Sequence, residues 1–171
     1  MKKNDNITLI GMPAVGKSTI GILLAKRMTL DFCDTDIFIQ THEKMGLQQI
    51  IHRIGMKGFL KLEEKYVLSL AVKSHVIATG GSVVYSESSM NHLKKSSGSV
   101  VHLDLGAESL KERLGNIDSR GVVMTPGQDI DMLYEERHPL YMRWADFTLD
   151  CRGLSPDQIL EKMTTYLCRK V

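Results

Sequence analysis

Gly11-Met12-Pro13-Ala14-Val15-Gly16-Lys17-Ser18 matches G-x-x-x-x-G-K-[ST] at every fixed position. Its surroundings supply the context that such a loop needs. Residues 7–10 are a short apolar run that reads as a buried strand. Residues 18–28 carry Ile20, Leu23, Leu24 and Met28 at mixed three- and four-residue spacing, the pattern of a helix. A chance glycine turn before a helix would lack this strand and this lysine. Gly16 lets the backbone wrap a phosphate, and the loop N–H groups and the helix N-terminus supply partial positive charge. Lys17 is placed for the β- and γ-phosphates, and the Ser18 hydroxyl for Mg²⁺. ATP and Mg²⁺ are therefore the expected cofactors, with Gly11, Ala14, Val15, Gly16, Lys17, Ser18 and Thr19 around the nucleotide phosphates.

Outward from this loop the chain alternates short apolar runs with helical patterns. Residues 32–34, 76–79, 99–103 and 147–149 read as further strands. Helices are expected over 56–72, where Phe59, Leu62, Tyr66 and Leu70 form a stripe, over 107–114, and over 131–143 with a break or bend near Pro139. Ser155-Pro156-Asp157-Gln158 is a helix start, with Ser155 as N-cap, Pro156 at the first position and Gln158 closing a capping box. Five strands separated by helices predict an α/β fold, three layers with a five-stranded parallel sheet between helices. Ligands bind such sheets at the carboxyl ends of the strands. Three motifs that follow strands, 11–18, 34–36 and 80–82, are expected to converge there.

Asp34-Thr35-Asp36 places two carboxylates at i and i+2, which point the same way if the segment is extended. One acid can serve the metal and the other can take a proton from an acceptor hydroxyl. The alternative is an Asx-type turn with solvated acids. Gly80-Gly81-Ser82 offers N–H donors and close backbone approach, although on this motif alone a plain strand-to-loop turn is the better explanation. Arg113, Arg120 and Arg137 are candidate phosphate or carboxylate clamps, whereas lone arginines are usually solvated. Arg120 lies in a glycine-bearing stretch, 115–127, that reads as a lid.

Length and composition bound the rest. A chain of 171 residues, 43% hydrophobic and 25% charged, fits one domain with a full core. A net charge of +2 gives no argument for nucleic acid or an anionic membrane. No run reaches the roughly 18 apolar residues of a membrane span, and residues 1–6 carry no signal-peptide pattern. Cys33, Cys151 and Cys168 are odd in number and widely spaced, which indicates neither a disulfide framework nor a zinc site. A cytoplasmic protein with a small-molecule substrate is expected. The absence of an N-K-x-D motif argues against a GTPase. The acid pair argues against a nucleoside monophosphate as acceptor.

The order of these motifs resembles the shikimate kinases, within the nucleoside-monophosphate-kinase-like P-loop fold. The resemblance rests on residues 11–19 with Ile20-Gly21, on Asp34-Thr35-Asp36, Gly80-Gly81 and Arg120, and on Glu136-Arg137-His138-Pro139-Leu140-Tyr141. It implies transfer of the ATP γ-phosphate to a hydroxyl of shikimate, giving shikimate 3-phosphate, by a monomer. Lys17, Asp36 and Arg120 would be catalytic, Ser18 and Asp34 would hold the metal, and Arg113 would lie against the adenine. Asp36, Gly80, Gly81, Arg120 and Arg137 would bind the acceptor, with Arg137 on its carboxylate. Three positions depart from the family pattern. Leu60 stands where a second carboxylate-binding arginine is expected in G-E-x-x-F-R-x-x-E, Ser82 replaces a third glycine, and Gly121 replaces a proline. All three lie on the acceptor side. Lys57 could partly compensate for the missing arginine. The alternatives are a kinase of another small polyol or hydroxy acid, and an ATP-binding regulatory protein without turnover.

Overall fold

The computed structural model describes residues 5–114, 122–125 and 127–169. Strands β1 (Asn6–Ile10), β2 (Asp31–Asp34), β3 (His75–Ala78), β4 (Ser97–Asp104) and β5 (Phe147–Asp150) form a parallel sheet in the order β2-β3-β1-β4-β5. All five predicted strands are present. β1 is central and buried along its whole length, which is why its apolar residues do not alternate cleanly with exposed polar ones. Its two polar residues are satisfied locally. Asn6 donates to the Val72 carbonyl (2.8 Å) and accepts from the His75 N–H (3.0 Å), and Thr8 shares a hydroxyl hydrogen bond with Ser97 (2.7 Å).

Helix α1 (Lys17–Met28) leaves β1 through the glycine loop and packs on α7 (Pro156–Arg169). The start of α7 is the predicted capping box: the Gln158 N–H donates to the Ser155 hydroxyl (3.3 Å), and Gln158 Oε1 accepts from the Ser155 N–H (2.8 Å). Helix α5 (Ala107–Leu114) has the predicted bounds. Helix α6 (Ile130–Trp144) runs without a break through Pro139. Buried Arg137 and Tyr141, either side of the proline, anchor it to the body of the protein.

Three features were not expected. Helix α2 (Thr35–Glu43) begins directly after β2, so Asp36 lies in a first helical turn and not on an extended segment. Helix α3 (Leu47–Leu68) starts nine residues before the predicted 56 and is interrupted at Gly55 (φ 70°, ψ 169°), where its two halves meet. Its second half falls within the predicted 56–72 but ends at Leu68, and the buried face is Phe59, Glu63 and Val67, one step round from the expected stripe. A 3-10 turn (Val83–Tyr85) and helix α4 (Glu87–Ser96) fill the connection from β3 to β4.

The main apolar core lies on both sides of the sheet. A smaller cluster of Ile39, Ile50, Phe59 and Val123 joins α2, α3 and residues 122–125 beside the strand ends. No helix among the described residues is long and apolar enough to cross a membrane.

Candidate active site

The loop after β1 closes onto the N-terminus of α1, with Gly16 as N-cap at φ 107° and Ala14 also in the left-handed region at φ 62°. Lys17 is buried and folds back over this loop, donating from Nζ to the Gly11 and Met12 carbonyls at 2.8 Å each. Burial lowers its pKa to about 8, against the pull of the Asp36 and Asp34 charges. The Ser18 hydroxyl donates to Asp34 Oδ2 (2.6 Å), while Asp34 Oδ1 accepts the Asp36 and Ile37 N–H groups (2.9 and 3.1 Å) and so caps α2. Ser18 and Asp34 together present hard oxygen donors next to the phosphate loop. Among the described residues no group of three or more His, Cys, Asp or Glu could hold a metal alone. One hydroxyl and one carboxylate are what Mg²⁺ uses when the remaining ligands are phosphate oxygens and water, so the residues present fit that ion.

Asp36 opens α2 beside the end of β3. Burial raises its pKa to about 6, and the neighbouring Asp34 charge adds to the shift while Lys17 opposes it. Thr79-Gly80-Gly81-Ser82 continues from β3 past this acid. The Gly80 N–H donates to the Thr35 hydroxyl (3.0 Å). Gly80 cannot carry a side chain, because a Cβ there would run into Glu63 Oε1 and come within 2.8 Å of Asp36 Oδ1. The two carboxylates thus face one another across this glycine.

Glu63 is fully buried under the same loop, with Oε2 accepting from the Ser82 hydroxyl (2.7 Å) and Oε1 without a partner among the described residues. Burial pushes its carboxyl up to about 7; the Ser82 bond opposes this and Asp36 adds to it. Glu63 was not among the predicted site residues, although its spacing of four from Phe59 and Val67 put an acid on a buried face. Ser82, read as a departure from the family pattern, is its hydrogen-bond donor.

Arg137, on α6, is almost fully buried and holds its guanidinium over the Tyr85 ring, 5.0 Å from the centroid. Nε donates to the Tyr85 hydroxyl (3.0 Å), and Nη2 donates to the Val123 carbonyl. Nη1 lies toward Gly81, 3.2 Å from where a Cβ on that glycine would stand. Behind it, the Tyr141 hydroxyl donates to the Gly81 carbonyl (2.6 Å). Arg113 reaches back from α5 to donate to the Val15 carbonyl (3.3 Å). Arg120 and Gly121 lie outside the described residues.

Many of these groups line one cavity of about 410 Å³, with Gly11, Val15, Asp34, Glu63 and Tyr85 outside its lining. Its phosphate end holds Gly16, Lys17, Ser18, Thr19 and Arg113; its other end holds Asp36, Phe59, Gly80, Gly81, Ser82, Val123 and Arg137. The predicted convergence of three strand-end motifs is therefore present. Leu60 is not part of the lining: it packs half-buried against the Ile39–Ile50–Phe59–Val123 cluster. Lys57 is exposed and Arg53 pairs with Glu43 (3.2 Å), so neither stands in for a second cation. Tyr85 and Val123 had no sequence signal, because their contacts depend on the path of the chain and on a main-chain carbonyl.

Comparison with known proteins agrees with this geometry. The family model for shikimate kinase matches residues 13–168. The shikimate kinase of Thermodesulfovibrio yellowstonii is 37% identical over 161 residues, 92% of each chain. That of Francisella tularensis subsp. novicida is 32% identical over 171 residues, 98% of this chain and 97% of the relative. Among solved structures, the shikimate kinase of Acinetobacter baumannii in complex with shikimate superposes with a TM-score of 0.90 at 26% identity, over 98% of this chain and 95% of that one. The Aquifex aeolicus shikimate kinase gives 0.81 at 31% identity, over 95% of each. The glycine loop, the acid on α2, the glycine pair after β3 and the arginine on α6 all sit in one cavity of this fold; the chain belongs to the shikimate kinase family.

Proposed function

We propose that this protein transfers the γ-phosphate of ATP to a hydroxyl of shikimate, giving shikimate 3-phosphate. The observation that carries the reading is the single cavity with a phosphate loop at one end and an acid–guanidinium pair, Asp36 and Arg137, at the other. A molecule with a carboxylate and a hydroxyl can span from Arg137 to Asp36 and offer that hydroxyl toward the phosphate loop. In the reaction the hydroxyl oxygen bonds to Pγ, the bond from Pγ to the β–γ bridging oxygen breaks, and the hydroxyl proton leaves.

Asp36 orients this hydroxyl and takes its proton; a carboxyl that titrates near 6 is a competent base at neutral pH. Lys17 leaves the Gly11 and Met12 carbonyls to neutralise charge on the phosphates. Ser18 and Asp34 would hold Mg²⁺, which would supply positive charge to the phosphate oxygens. Gly80 and Gly81 line the acceptor end, and Arg113 stands at the adenine side of the loop. Arg120, which lies outside the described residues, completes the proposed catalytic set.

The test is a coupled ADP-release assay with ATP, Mg²⁺ and shikimate. The parent is expected to turn over. Lys17→Ala should abolish transfer while the fold remains. Asp36→Asn should lower kcat/KM by roughly two to four powers of ten with ATP affinity little changed. Failure of the parent to phosphorylate shikimate, with turnover of another hydroxy acid or polyol, would redirect the reading to that acceptor.

A further inference from the structure

The acceptor end of the cavity has one cation among the described residues. Lys17 and Arg113 belong to the phosphate loop, Leu60 is turned into an apolar cluster, and only Arg137 faces the glycine floor. Recognition of an acid group therefore depends on how Arg137 is held. The Val123 carbonyl takes Nη2, and two further contacts that hold the guanidinium come from Tyr85. Its ring lies under the guanidinium at 5.0 Å, and its hydroxyl oxygen accepts from Nε at 3.0 Å. The hydroxyl proton is committed elsewhere, donated to Glu136 Oε1 at 2.7 Å. Glu136 is fixed in turn by Gln128, whose Nε2 donates to Oε2 at 2.6 Å, and Gln128 Oε1 accepts from the Thr125 N–H (3.1 Å). The chain Thr125–Gln128–Glu136–Tyr85–Arg137 runs in one donor direction at its tyrosine: Tyr85 donates to an acid and so keeps its lone pairs for the arginine.

We propose that Tyr85 is a positioning residue for acceptor specificity: by occupying Nε and setting its ring against the guanidinium it leaves Nη1 as the nitrogen aimed at the acceptor's carboxylate. Two physical consequences support this assignment. A buried guanidinium whose Nε loses its acceptor must find another partner or turn, because an unsatisfied buried donor is strongly unfavourable. A planar fork that turns no longer presents Nη1 along the floor, and a single-nitrogen contact tolerates less misdirection than a two-armed clamp. The proposal rests on the acceptor assignment above.

The experiment compares the parent, Tyr85→Phe and Tyr85→Ala in steady state, using shikimate and a neutral analogue with a hydroxymethyl group in place of the carboxylate. Thermal melts of each variant check the fold. Tyr85→Ala should raise the KM for shikimate about tenfold or more, with kcat within a few-fold and the KM for ATP unchanged. Its preference for shikimate over the neutral analogue should fall by a similar factor, which a merely structural loss would not produce. Tyr85→Phe, which keeps the ring and loses the hydroxyl, should lie between. An unchanged shikimate KM, or equal losses on both acceptors, would overturn the role of Tyr85 alone. Absence of shikimate turnover by the parent would overturn the acceptor assignment and this role with it.

Discussion

Glu63 folds into an apolar interior with one carboxylate oxygen bonded and the other not, and burial raises its pKa from the ordinary 4.5 to about 7. Between those values the native state keeps a proton that the unfolded chain has released. Excess protons on the native state make stability fall as pH rises. The contribution of Glu63 is thus fully present below about pH 4.5 and is lost as pH climbs through about 7. Glu63→Gln keeps the shape and can still accept from Ser82, but it cannot ionise. The expected result is a Tm difference between variant and parent that moves in the variant's favour from pH 5 to pH 8, on the order of a few degrees. Asp36 and Lys17 titrate in both proteins and largely cancel. A difference that stays flat with pH would mean that Glu63 is already ionised in the native state. Glu63 was passed over in the sequence because the apolar residues around it allow two helical stripes one step apart. The one that includes Leu62 and Tyr66 is the more apolar, yet the buried one includes Glu63.

At the scale of elements, the join between β2 and α2 concentrates two duties in Asp34. One oxygen caps the helix and the other holds the Ser18 hydroxyl. Substitution can separate them. Asn caps as well as Asp, so Asp34→Asn should leave thermal stability near that of the parent while weakening the Mg²⁺ dependence of turnover. Asp34→Ala should lose both, with about 0.5–2 kcal/mol of stability gone with the cap. If both variants melted like the parent, the cap would contribute nothing. This join also explains why α2 was missed. Ile37, Phe38 and Ile39 are consecutive rather than spaced by three or four, and Asp34, a cap in fact, reads equally well as a strand-end acid. Helix α4 was missed for the opposite reason: it is mostly polar, and its two apolar side chains, Met90 and Leu93, are too few to show a period. The glycine loop, the five strands and the α7 cap were legible because each is specified within a few neighbouring residues.

For the whole molecule, the strand order matters more than any one loop. β1, β2 and β3 are neighbours on one side of the sheet, so segments far apart in sequence, 11–19, 34–36 and 79–82, share one rim, and α6 closes it from above with Arg137. A ligand that fills the cavity therefore ties together most of the fold. A non-hydrolysable ATP analogue with Mg²⁺ at about 100 times its Kd should add about 2.7 kcal/mol to the free energy of unfolding, and shikimate should add to that. Both should shift a single cooperative melt. A ligand that sharpened or split the transition without moving it would show that the cavity belongs to a separately melting part.

The folded-back lysine of the glycine loop gives nucleotide arrival the character of an exchange. Nζ donates to two carbonyl oxygens, from Gly11 and Met12. A phosphate oxygen that captures it replaces a bond of the same kind, so the count of hydrogen bonds hardly changes. What changes is that a neutral acceptor gives way to a charged one, and the gain grows with the negative charge brought near the ammonium. A ligand with few ionised oxygens offers Lys17 little that its own backbone does not. The loop, by serving as the first occupant of its own site, sets a threshold that only a polyanion clears.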